Sequence, residues 1–232
     1  MGIKGFQGTS LLDFPGRIAS LVFFGGCNLT CPFCHNPSLV LTPEDHPDYP
    51  PQVLLGELAE RRAFIDGAVV SGGEPTLDPE LPGFLRQIKA LGLLVKLDTN
   101  GLAPDMLASL IDEELLDYVA LDVKTAPSRY GELHRAPVDL DLLPRSVQLL
   151  KSSALDYEFR TTCVPGFVEE SDIRALGELL TGGRRWVLQQ FVPQHSLALP
   201  LRKITSHPPA KLHQMAAIAR DHVAEVKLRG IE

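Results

Sequence analysis

Three cysteines crowd into eight residues of this chain, in the run Gly25-Gly26-Cys27-Asn28-Leu29-Thr30-Cys31-Pro32-Phe33-Cys34-His35-Asn36. Their spacing, C-x3-C-x2-C, lets three thiolates converge on one metal centre if the intervening backbone loops around it. A [4Fe–4S] cluster is ordinarily held by four cysteines. With Cys27, Cys31 and Cys34 alone, one iron would be left without a protein ligand and open to a small molecule. Two other readings compete. A structural zinc site takes four cysteine or histidine ligands, often as two spaced pairs; no second pair exists, and His35 adjoins Cys34, an awkward place for a fourth ligand. A disulfide framework suits a secreted scaffold with evenly matched cysteines, whereas here Cys163 stands far from the other three.

Other residues with chemical potential follow apolar runs. In Ser71-Gly72-Gly73-Glu74-Pro75 the two glycines permit positive φ and close approach of backbone to a ligand, although a plain turn has the same composition. Asp98 is an acid at the end of an apolar run; after Thr99 comes Asn100-Gly101, a strong turn signal. Asp122 and Lys124 are two residues apart and so lie on one face of a strand, where they can act on a ligand or pair with each other. Arg160 interrupts an apolar strand and needs a partner, either a ligand or a core carboxylate. Cys163 reads as a small buried residue, and His195 follows the last apolar strand.

These residues need a scaffold, and the apolar pattern supplies one. Strands are expected over 18–24, 68–70, 93–97, 118–123, 157–164 and 186–192, and helices over 53–64, 81–91, 105–116, 142–153 and 171–180, with Ser171 as N-cap and a long final helix over Ala210 to Leu228. Such β/α alternation demands parallel strands with right-handed crossovers. The chemistry-bearing residues follow the C-terminal ends of successive strands, which a barrel gathers at one mouth. The expected fold is therefore α/β, a six-stranded partial (β/α)6 barrel formed by a single domain over 1–232. Residues 1–17 would be an N-terminal extension and 196–209 a loop before the C-terminal helix.

The 232 residues carry a net charge of −7, with 44% hydrophobic and 22% charged residues, the composition of an ordinary globule. The charge argues against a broad nucleic-acid surface. No apolar run reaches spanning length, and no basic-plus-apolar leader opens the chain. A cytoplasmic protein with no membrane and no nucleic-acid partner is the expectation, in a compartment that keeps thiols reduced.

The run C-N-L-T-C-P-F-C-H-N resembles the radical S-adenosylmethionine (SAM) superfamily, and its His35-Asn36 ending resembles the activating enzymes of glycyl radical enzymes. Together with the short chain, Ser10-Leu11-Leu12-Asp13-Phe14-Pro15-Gly16 looks most like the activating proteins of anaerobic ribonucleotide reductase. The resemblance implies the same partial barrel, with Cys27, Cys31 and Cys34 holding a [4Fe–4S] cluster whose open iron chelates SAM. One electron would cleave SAM to methionine and a 5′-deoxyadenosyl radical, which takes hydrogen from the Cα of one glycine in a partner protein. It further implies that Gly72, Gly73 and Glu74 hold the amino group of SAM, Glu74 directly or by fixing the loop. Asp98 and Thr99 would form an alkali-cation site beside the SAM carboxylate; Asp122 would serve that cation or the ribose, and Lys124 would reach SAM. Arg160 remains open between SAM and a core carboxylate, Phe33 and His35 lie near the cluster with Phe33 against adenine, and His195 would pack on the ribose. The implied partners are a glycyl radical enzyme, anaerobic ribonucleotide reductase first and pyruvate formate-lyase as an alternative, and reduced flavodoxin or ferredoxin as electron donor. The loop from Thr125 to Asp139, with Tyr130 and His134, would touch the partner. A radical SAM enzyme acting on a small molecule or RNA, and a zinc or electron-transfer protein, are the other classes.

Overall fold

The computed structural model describes residues 2–134 and 138–231, so residues 135–137 of the loop expected at the partner surface lie outside the described residues. In chain order the elements are β1 (Ile3–Ser10), β2 (Ala19–Phe24), α1 (Pro37–Leu41), α2 (Pro51–Arg61), β3 (Gly67–Gly72), α3 (Leu81–Ala90), β4 (Leu94–Thr99), α4 (Pro104–Asp112), β5 (Tyr118–Asp122), α5 (Leu142–Ser152), β6 (Asp156–Cys163), α6 (Glu170–Leu180), β7 (Gly183–Gln190), α7 (Pro209–Ala219) and β8 (Val223–Arg229), with short 3-10 turns between them. The fold class is α/β, as the alternation demands, and the six anticipated strands are β2 to β7. The chain divides into two compact units: Met1–Asn28, Ser38–Thr99 and Asp105–Val119 form one, and Leu29–Pro37, Asn100–Pro104 and Ala120–Glu232 the other.

In the first unit β2, β3 and β4 are parallel, with Leu21 opposite Val69 and Val69 opposite Lys96. Strands buried on both faces read as continuous apolar runs, and Val22, Val69, Val70, Val95 and Leu97 are wholly buried. α2 and α3 cover this sheet through Leu54, Leu58, Leu81, Leu85 and Ile88, at the three- and four-residue spacings of one helix face. β1 pairs antiparallel with β2, Gln7 opposite Leu21. The turn between them is built by Ser10, whose hydroxyl oxygen accepts the amides of Leu12 (3.2 Å) and Asp13 (3.3 Å) while donating to the Asp13 carboxylate (2.5 Å). Phe14 then drops into the core against Tyr118, with ring centroids 6.0 Å apart. The motif Ser10-Leu11-Leu12-Asp13-Phe14 thus has a turn-forming hydroxyl, an anchoring ring and two leucines left exposed.

In the second unit β6, β7 and β8 are parallel. Trp186 is fully buried, and its indole N–H donates to the Thr161 hydroxyl at 2.9 Å, which donates in turn to the Val123 carbonyl at 2.8 Å. The buried polar atoms are thereby paired, as a low-dielectric interior requires. Two expectations are corrected here. The final helix does not run to Leu228 but stops at Ala219, and Val223–Arg229 is a strand. Glu225, Lys227 and Arg229 alternate with Val226 and Leu228, a period of two that suits a strand. The cap of α6 is Glu169, not Ser171: Glu169 and Asp172 form a reciprocal capping box, each side chain accepting the other's backbone N–H.

Candidate active site

Within the first unit lie the ends of β2, β3 and β4. The Gly73 N–H donates to the Phe24 carbonyl and the Glu74 N–H to the Gly26 carbonyl, both at 2.8 Å. A Cβ on Gly73 would stand 1.9 Å from the Gly26 oxygen, and one on Gly72, at φ +116°, would stand 2.3 Å from the Phe24 oxygen. Only glycine fits at either position, and the backbone that comes so close is the start of the cysteine loop. Cys27 follows directly, its Sγ 3.8 Å from the Asn28 side-chain oxygen.

Glu74 is buried, and its Oε1 accepts three hydrogen bonds: from the Thr76 amide (3.2 Å), the Thr76 hydroxyl (2.5 Å) and the Thr99 hydroxyl (2.8 Å). It therefore fixes its own loop and ties that loop to the end of β4. On β4, Asp98 accepts from the Lys96 ammonium, with Ser71 Oγ at 3.4 Å from its other oxygen. Sequence reasoning passed over Lys96, although its position two residues before Asp98 in an apolar strand puts both side chains on one face.

Within the second unit lie residues 29–37 of the cysteine loop, the turn after Thr99 and the ends of β5, β6 and β7. Asn100 accepts the Leu102 amide at 3.0 Å, completing the turn expected of Asn-Gly. The Cys34 N–H donates to the Cys31 carbonyl at 2.9 Å, a tight turn that holds these two cysteines together. Phe33 is buried edge-on against Phe167, ring centroids 5.5 Å apart, and His35 stacks on Phe191 at 6.3 Å. Burial lowers the His35 pKa, a nearby backbone group at Val192 opposing it and His195 reinforcing it. His195 itself is exposed on a 3-10 turn.

At the end of β5 Asp122 and Lys124 do share a face, with the ammonium donating to the Asp122 carboxylate at 2.7 Å. Arg160 grips the same carboxylate with two donors, at 2.6 and 3.2 Å, so its partner in the structure is a core acid. Burial opposes ionisation of Asp122, but Arg160 and Lys124 outweigh it and hold the carboxyl well below the usual range. Burial likewise works against the Lys124 ammonium, and Asp122 more than restores it, raising its pKa.

Tyr130 is corrected from a partner-facing residue to an internal brace. It is fully buried, and its hydroxyl oxygen accepts the Lys124 N–H at 3.0 Å. The same segment reaches the cysteine loop: the Thr30 N–H donates to the Leu133 carbonyl at 3.1 Å, and the Thr30 hydroxyl meets His134 Nδ1 at 3.1 Å. A further bond, from the Ala198 amide to the Pro32 carbonyl at 2.8 Å, holds the loop from the β7 side.

None of the four cysteines is joined in a disulfide. Among the described residues no group of three or more His, Cys, Asp or Glu side chains is arranged to hold a metal ion, so assigning Cys27, Cys31 and Cys34 to one centre rests on their spacing and chemistry. The donor set fits an iron–sulfur cluster: three soft thiols in one short loop, Cys31 buried and Cys27 and Cys34 half-buried. Burial pushes the Cys31 thiol up to about 11 against the pull of Lys124, and raises Cys34 as well. Such thiols ionise poorly alone but are deprotonated outright on coordinating a cation. Cys163, at the end of β6, is wholly buried and pushed up to about 12, first by burial and then by Glu169; it is inert packing.

The Radical SAM superfamily matches over residues 21–179. A protein of Methanocaldococcus jannaschii, provisionally described as a glycyl-radical enzyme activating enzyme, is 30% identical over 99% of this chain and 96% of its own. The pyruvate formate-lyase 1-activating enzyme of Escherichia coli is 29% identical over 84% of this chain and 81% of its own. Among solved structures, Streptococcus suis SuiB bound to S-adenosylmethionine superposes with a TM-score of 0.69 at 15% identity, covering 91% of this chain and about half, 52%, of SuiB; that likeness carries the partial-barrel fold alone. The chain belongs to the radical SAM superfamily of enzymes, which use a [4Fe–4S] cluster and S-adenosylmethionine, and within it to the activating enzymes of glycyl radical enzymes.

Proposed function

We propose that this enzyme installs a glycyl radical on an anaerobic ribonucleotide reductase, in the cytoplasm, with reduced flavodoxin or ferredoxin as electron donor. The observation that carries the activase reading is the full-length match to a relative described as a glycyl-radical enzyme activating enzyme. The choice of reductase rests on the Ser10-to-Gly16 turn. The match to the pyruvate formate-lyase activating enzyme supports that lyase as the second reading.

Cys27, Cys31 and Cys34 would hold the cluster, which when bound supplies one electron and an open coordination position for SAM. The remaining roles belong to the chain itself. The Gly72-Gly73 backbone, set by its contact with Phe24 and Gly26, presents the amino-group site, and Glu74 acts by fixing that loop, since its Oε1 already takes three donors. Asp98 and Thr99 line the carboxylate side. Lys124 offers SAM a point charge, oriented by Asp122; Arg160 acts through Asp122, whose carboxylate it grips. Phe33 and His35 flank the third cysteine for adenine, and His195 takes the ribose.

The test mixes enzyme, SAM, reductant and reductase without oxygen and records the organic radical by electron paramagnetic resonance. A doublet growing on the reductase, with one deoxyadenosine per radical, is the expected result. A doublet on pyruvate formate-lyase alone would select the second reading, and deoxyadenosine formed only with a small-molecule substrate would overturn both.

A further inference from the structure

Lys96 is an expensive residue where it stands. It is 1% exposed, among the largest fully buried side chains, in a strand whose neighbouring positions are apolar. Lysine is almost never fully buried unless paired. Its partner is Asp98, whose side chain is 12% exposed. A leucine or methionine would fill the same space without desolvating a charge, and replacing such pairs by apolar residues often stabilises a protein. The ion pair therefore needs a reason beyond packing.

Asp98 is the residue to which the family resemblance gives an alkali cation, held beside the carboxylate of SAM. That assignment does not fit the side chains found here. The Lys96 ammonium already sits on the Asp98 carboxylate. Asp122, the other acid named for the cation, is engaged by Lys124 and Arg160. Each acid thus has a protein cation of its own. An ammonium carries the same unit charge as an alkali ion, presents three donors, and cannot diffuse away.

Building on the activase reading, we infer that the Lys96 ammonium stands in for the alkali cation at Asp98, so that SAM binding needs no monovalent metal ion. Lys96 is in these terms a positioning residue. It keeps Asp98 neutralised and offers a fixed positive charge toward the carboxylate side.

The experiment titrates anaerobically reconstituted holoenzyme with SAM at matched ionic strength, with tetramethylammonium, sodium or potassium as the only cation. The expected affinity is the same in all three within about twofold. An affinity about tenfold higher or more in sodium or potassium would overturn the inference alone. No SAM binding in any salt, with the iron present, would overturn the activase reading and this inference with it. In Lys96→Met the expected behaviour reverses: SAM affinity falls by about tenfold in tetramethylammonium and recovers with potassium or sodium. The cluster-free chain gives a second readout, because the thermal midpoint of Lys96→Met should rise with alkali salt while that of the parent chain should not. Should the variant fail to fold, the titration of the parent chain decides the matter.

Discussion

The Thr99 hydroxyl donates to the Glu74 carboxyl at 2.8 Å, so a buried hydrogen bond joins the strand-end motifs around Gly72-Gly73-Glu74-Pro75 and Asp98-Thr99. Neither motif is then independent of the other: a change at the end of β4 is felt in the loop after β3. Both residues are almost fully buried, and leaving a buried acceptor short of a donor costs about 1–3 kcal/mol. Thr99→Val should destabilise the cluster-free chain by about that amount. Glu74→Ala should cost more, because it strands the Thr76 amide and two hydroxyls. Urea midpoints measure both, and equal midpoints for parent and Thr99→Val would show that the bond contributes nothing.

Iron binding should discriminate among the cysteines. Reconstitution is expected to give about four irons per chain, and Cys27→Ala, Cys31→Ala and Cys34→Ala should each lose them. Cys163→Ala should keep them, because that thiol is buried in β6 and unavailable. Iron and sulfide analysis checks the set; a full cluster in Cys31→Ala, or zinc in place of iron, would refute the assignment.

Acid should weaken the second unit through Asp122. Its folded pKa is depressed despite burial, by Arg160 and Lys124. A depressed carboxyl contributes stability that is present above its unfolded pKa of about 3.9 and is lost as pH falls through the folded value. Stability should therefore decline below about pH 4, and Asp122→Asn should flatten that limb. At neutral pH the same variant should cost about 3 kcal/mol, because it leaves Lys124 and Arg160 without their counter-charge. Denaturation curves across pH test the point; an unchanged acid limb would dissociate Asp122 from it.

Tyr130→Phe should act on stability first. Removing the hydroxyl leaves the Lys124 N–H without its acceptor, at a cost of about 1–3 kcal/mol. His134→Ala should loosen the cysteine loop through Thr30 and speed release of iron to a chelator, with little effect on the unfolding midpoint. Parent-like behaviour in both variants, with impaired radical transfer alone, would return the segment to the partner surface.

Local information determined much of this protein. The apolar runs of β2 to β7 were legible because burial on both faces leaves a signature within a few residues. Turn chemistry at Asn100-Gly101 was legible because it too is local. Lys96 escaped notice although its two-residue offset from Asp98 was in plain view, because a lysine in a strand is ordinarily at the surface. Other features needed the tertiary structure, since they depend on which groups meet across long sequence separations. Arg160 finds Asp122 at a separation of 38 residues, Glu74 finds Thr99 at 25, and Thr30 finds His134 at 104. A charged or polar side chain declares that it needs a partner once buried, because desolvation is costly; which partner it takes is decided only when folding brings the strand ends together.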